Sequence, residues 1–106
     1  MKTGLNLEFA RTERLTPEQA MARAAAAGYR WVEPYVYSDV VLPVNSHLSV
    51  RTTSPYHHFH SGQTDPAELN ALCKDLNLSF SAIDAHSTLL LPQIGVPYLK
   101  AAIDFA

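Results

Sequence analysis

Two polar residues stand where single ionisable side chains interrupt apolar, β-prone runs. They are Glu33 in Trp31-Val32-Glu33-Pro34-Tyr35-Val36-Tyr37, and His86 at the exit of Leu78-Ser79-Phe80-Ser81-Ala82-Ile83-Asp84-Ala85. A carboxylate at a strand end can hydrogen-bond substrate hydroxyls or orient a neighbouring side chain. A neutral imidazole there can donate to a substrate oxygen. Each has an ordinary structural alternative: a salt bridge from Glu33 to Arg30 or Arg51, and a hydrogen-bonded rim position for His86. Strict alternation puts His86 on the side of Phe80 and Ala82, so it shares the opposite side only if the strand ends or bulges near Asp84.

A second group of candidates lies in Ser54-Pro55-Tyr56-His57-His58-Phe59-His60-Ser61-Gly62. On an extended segment, His58 and His60 project to one side and could share a metal ion. Solvated or stacking loop histidines are the more frequent outcome of such a run. A substrate-covering lid is the more attractive functional role, because the surrounding stretch from Ser38 to Thr64 is long for a loop and rich in aromatic residues. Tyr35 and Tyr37 could stack on a sugar face, or pack; Asp84 carries the same ambiguity. The sequence holds neither a glycine-rich phosphate loop nor a Ser-His-Asp order with a nucleophile elbow.

The elements that must position these residues follow a repeated plan. Leu5, Leu7 and Phe9 alternate with Asn6 and Glu8, which predicts a first strand after Gly4. Thr16-Pro17-Glu18-Gln19 then combines a capping threonine, a proline at the first helical position and a capping-box glutamine. A helix follows through Ala20, Met21, Ala24 and Ala27, with Gly28 as a left-handed stop. Trp31 to Tyr37 predicts a second strand, made short or irregular by Pro34. Val40 to Val44 and Leu48 to Thr53 could pair as a hairpin within the long connection. Asp65-Pro66-Ala67-Glu68 repeats the helix start, and Leu69, Leu72, Cys73 and Leu76 form one apolar stripe ending near Asn77. Phe80 to Ala85 predicts a third strand, and Val96-Pro97-Tyr98 the opening of a third helix that meets no stop signal before Ala106. Alternating strands and helices imply parallel pairing with right-handed crossovers.

Composition narrows the classes. An apolar share of 47% and a charged share of 17% suit a globular chain. The net charge of -2, with scattered Lys and Arg, lacks the basic footprint of a phosphate-backbone binder, so nucleic acid is not favoured. The single Cys73 excludes an internal disulfide and a cysteine-rich zinc site, and agrees with a cytoplasmic location. Glu8 and Arg11 interrupt any signal-peptide core, and no apolar run approaches the roughly 18 residues of a membrane helix, so no membrane partner is expected.

In this order, the chain resembles the N-terminal part of the sugar phosphate isomerase/epimerase family, whose xylose isomerase-like TIM barrel is shared with endonuclease IV. The resemblance is carried by Ala24 to Tyr35 (AAAAGYRWVEPY), Ser79 to Pro92 (SFSAIDAHSTLLLP) and the closing PYLKAAIDFA. It implies an α/β fold in which residues 1–106 form the first three β/α units of a (β/α)8 barrel with parallel strands, ending early at Ala106. A whole barrel of this kind needs about 250 residues. It also implies metal-assisted proton transfer next to the carbonyl of a small carbohydrate-like substrate. The divalent ion, Mn, Mg, Co or Zn, would be held by carboxylates and a histidine beyond Ala106, where the catalytic residues are expected. Glu33 and His86 would bind or orient substrate, and His58 and His60 would serve as lid residues or weak metal candidates.

Two other readings compete. One is an endonuclease IV-like metal-dependent phosphodiesterase with His86 as a ligand, against which the missing basic face counts. The other is a barrel relative that binds a small ligand without chemistry, because fold does not fix function. A three-unit fragment would leave strand edges and apolar helix faces uncovered, which predicts inactivity of the fragment, and poor solubility or a homo-oligomer.

Overall fold

A computed structural model describes residues 3–37, 58–60, 62–85 and 92–106. The chain is a mixed α/β structure built on a small parallel sheet. In order along the chain come β1 (Gly4–Asn6), α1 (Phe9–Glu13), α2 (Pro17–Ala26), β2 (Trp31–Glu33), β3 (Tyr35–Tyr37), β4 (His58–His60), α3 (Pro66–Asp75), β5 (Ser79–Phe80) and α4 (Pro92–Phe105). Strands β1, β2 and β5 form one parallel sheet in that spatial order, and β3 pairs with β4, also in parallel.

Local chemistry sets the two longer inner helices. The Thr16 hydroxyl accepts from the Gln19 N–H while the Gln19 side chain accepts from the Thr16 N–H, closing the capping box at the start of α2. The Asp65 carboxylate accepts from Ala67 N–H at 2.8 Å to open α3. Both helices end in the same left-handed device. After α2, the Tyr29 N–H reaches Ala24 O and the Gly28 N–H reaches Ala25 O, with Gly28 at φ +90°. After α3, Leu78 N–H reaches Cys73 O and Asn77 N–H reaches Lys74 O, with Asn77 at φ +54°. These are Schellman motifs, and each turns the chain straight into a strand. Ser79 N–H then donates to Arg30 O, and Arg30 Nη1 to Asn77 O, so the two repeats are stitched together where they enter the sheet.

The core lies on one face of the sheet. Leu7, Val32 and Val36 are fully buried against Ala20, Met21 and Ala24 of α2, with Phe59, Leu69, Cys73 and Leu78 completing the cluster. The alanines let α2 come close, and each buried aliphatic side chain of this kind contributes about 1.5–3 kcal/mol of transfer free energy. Tyr98 of α4 is 2% exposed, and its hydroxyl donates to Val36 O at 3.4 Å. Helix α4 is thereby pinned to the carboxyl end of the central strand. Among the described residues, no helix is long and apolar enough to cross a membrane.

Three expectations are corrected. Phe9 does not continue the first strand, because the Asn6 carboxamide accepts from Glu8 N–H at 2.8 Å and turns the chain into α1. The helix expected from Val96 begins at Pro92, a favourable first position, and Pro97 lies inside it. The third strand pairs regularly only at Ser79–Phe80, then loses register and rejoins the sheet at Asp84. The suggested hairpin over residues 40–53 lies outside the described residues.

Candidate functional site

Pro34 separates β2 from β3, yet the run from Trp31 to Tyr37 remains the middle strand. Its even-numbered residues turn their peptide groups towards the β5 side: Ser81 N–H donates to Val32 O, Asp84 N–H to Pro34 O, and Val36 N–H to Asp84 O. On the other edge, Leu7 N–H donates to Glu33 O at 3.0 Å. Because the Val36 N–H is committed to Asp84, β4 must pair along that second edge, continuing the row that β1 begins. The histidine segment thus sits in the sheet beyond the carboxyl end of β1.

The register contains one irregularity. Val32 pairs with Phe80, and Tyr35 pairs with Asp84, so four residues advance on one strand where three advance on the other. The extra residue falls between Ser81 and Ile83, opposite Pro34. This is a β-bulge, and its position has a cause: Pro34 has no N–H to give to the neighbouring strand, so the ladder can skip a residue there without orphaning a donor. The consequence is a change of side. Phe80 and Ile83, three apart rather than two, both pack on the helix-covered core, while Asp84 shares the register of Tyr35 on the opposite face.

That opposite face carries the polar residues. Asn6 and Glu33 are register partners, Tyr35 stands two residues beyond Glu33, and Asp84 stands beside Tyr35. Glu33, Tyr35 and Asp84 are each half-buried. The face presents an amide, two carboxylates and a phenol, with Trp31 at its amino end, and no Lys or Arg occupies these paired positions. Such an arrangement can accept hydrogen bonds from hydroxyl groups while an aromatic ring covers a carbon face.

Glu33 stands at the carboxyl end of β2 and forms no ion pair with Arg30, whose guanidinium reaches the Asn77 carbonyl instead. Arg51 lies outside the described residues. His86 also lies outside them, although the bulge near Asp84 that its placement required is present. His58 and His60 occupy β4, in register with Tyr35 and Tyr37; His57 is outside the described residues. The pairing of β4 is a long-range event that the loop reading did not foresee; the only local signal was the alternation His58-Phe59-His60 around a residue that proves to be buried. Asp84, left ambiguous by sequence, is brought beside the Glu33 strand only by the bulge. Cys73 is buried, and that burial pushes its thiol above the ordinary thiol range, as expected of a core residue.

Among the described residues, no three His, Cys, Asp or Glu side chains come together as a metal centre requires. These residues by themselves therefore do not fit the expected divalent ion. Comparisons with protein-family models, with curated proteins and with solved structures each return no match.

Proposed function

We propose that the chain forms the opening three β/α units of a (β/α)8 barrel that acts on a small polyhydroxylated carbonyl compound, as a sugar isomerase or epimerase. The observation that carries this reading is the placement of Glu33. It stands at the carboxyl end of β2, just before Pro34, in a parallel sheet and on the face opposite the buried Val32 and Val36, with Tyr35 two residues further on and Asp84 beside Tyr35. Parallel α/β sheets bind their ligands at the carboxyl ends of the strands, and barrels turn that face inward.

Within this reading Glu33 accepts hydrogen bonds from substrate hydroxyls, and His86 donates to a substrate oxygen, so that the carbon next to the carbonyl is held in one orientation. Ligands for a divalent ion would come from outside the described residues. His58 and His60, strand partners of Tyr35 and Tyr37, would serve as lid residues or weak metal candidates. The absence of Lys and Arg from the paired positions of this face favours a sugar over a nucleic-acid backbone.

The test is exchange of the α-proton. The natural gene product, incubated in deuterated buffer with a panel of ketoses and aldoses and each of Mn2+, Mg2+, Co2+ and Zn2+, should incorporate deuterium next to the carbonyl, as followed by proton NMR. Glu33→Gln should raise KM at least tenfold, the loss expected for a charged hydrogen bond. Absence of exchange and of saturable sugar binding across the panel would overturn the reading.

A further inference from the structure

The bulge between Ser81 and Ile83 changes which residues of this strand face the core. A regular strand would have set residue 82 opposite Pro34 and residue 84 opposite Val36, on the helix-covered side. The extra residue instead puts Ile83 and Ala85 in those places, sends Ile83 into the core, and turns Asp84 to the side of Glu33. Both backbone groups of Asp84 are fixed at the same time: its N–H donates to Pro34 O and its carbonyl accepts from Val36 N–H, each at 2.9 Å. A side chain re-aimed by a bulge, on a residue tied by two backbone hydrogen bonds to one neighbouring strand, has a defined position rather than that of a loose loop residue.

From this we infer that Asp84 is a second substrate-binding carboxylate, working with Glu33 on a vicinal pair of hydroxyls. The inference rests on the sugar reading above and goes beyond it by naming the residue and the part of the substrate it takes. Glu33 and Asp84 are diagonal neighbours, one strand across and two residues along, since Asp84 is the partner of Tyr35, with Cα atoms roughly 8 Å apart from ordinary sheet spacings. Two carboxylate side chains leaning in from that separation can accept from hydroxyls on successive carbons. A sugar carrying both hydroxyls donates to both carboxylates, whereas a deoxy sugar forfeits one of the two charge-assisted hydrogen bonds, which is where discrimination against the analogue arises.

The experiment measures binding of the natural gene product and of Asp84→Asn to a panel of ketoses and aldoses, together with monodeoxy analogues of the tightest binder, by calorimetry. Thermal unfolding of both proteins is recorded alongside. Asp84→Asn should keep its unfolding midpoint within about 3 °C, bind the parent sugar about ten- to a hundredfold more weakly, and lose its preference over one particular deoxy analogue. A purely structural Asp84 would not alter that preference. If the wild type binds and Asp84→Asn binds the parent and every analogue with unchanged ratios, the inference about Asp84 falls and the sugar reading stands. If no sugar of the panel binds the wild type, both fall together. If Asp84→Asn unfolds at a much lower temperature, Asp84→Glu decides: restored binding without restored discrimination overturns the inference, and restoration of both supports it.

Discussion

Gly28→Ala isolates one physical effect. Gly28 ends α2 at φ +90°, and a Cβ built there meets no atom within 4 Å, so the substitution adds backbone strain without a collision. Left-handed backbone costs an L-residue about 1–2 kcal/mol. Alanine also restricts the unfolded chain, which offsets about 0.4–1 kcal/mol of that loss. The net expectation is a destabilisation of about 1 kcal/mol, or a fall of about 4–8 °C in Tm for a chain of this size. Urea titration followed by circular dichroism should show a lower midpoint with an unchanged slope. Asn77→Gly is the matched opposite: the same motif at φ +54° should gain a few tenths of a kcal/mol when its Cβ is removed. A Gly28→Ala protein as stable as the wild type, or an Asn77→Gly protein weakened by more than about 1 kcal/mol, would refute the claim that both helices end in left-handed caps.

Other consequences are measurable in the same way. Met21→Ala, at a fully buried position between α2 and the sheet, should cost about 2–5 kcal/mol, and a loss below about 1 kcal/mol would contradict its central place in the core. Tyr98→Phe removes the hydroxyl that donates to Val36 O and should cost about 0.5–1.5 kcal/mol in chemical unfolding; no change would show that this bond does not secure α4. Burial raises the Cys73 pKa, so the folded state holds the thiol proton more tightly than the unfolded state. Its contribution is therefore fully present below the unfolded thiol's pKa of about 8.5 and is lost as pH climbs from there through the folded value. Cys73→Ala should flatten that alkaline decline, and an identical pH profile for both proteins would sink the argument.

The local devices were legible because each is written within a few residues. Thr16 with Gln19, Asp65 with Ala67, and the left-handed stops at Gly28 and Asn77 are contacts between near neighbours in the chain, and they form in the structure where the residue types require them. The parallel order of strands and helices followed from the same punctuation, as did the burial of Cys73 and the placement of Glu33 at the end of a strand. The candidate polar face was legible only in part. The strand-end position of Glu33 was readable because its own strand is regular up to Pro34, whereas the side taken by Asp84 depends on a pairing choice made across two strands.

What tertiary structure alone decided was which residues stand side by side. No local signal makes His58–His60 a parallel partner of β3, because that pairing draws together segments separated by the whole connection from Ser38 to His57. Nor does the sequence of β5 state that a residue must be skipped; the skip becomes inexpensive only opposite Pro34, a residue nearly fifty positions earlier that offers no N–H. Caps and stops are set by short-range hydrogen bonds within one segment, so the amino-acid order determines them directly. The polar face is set by register between segments, and register is settled only when the core closes and every backbone donor has found its acceptor.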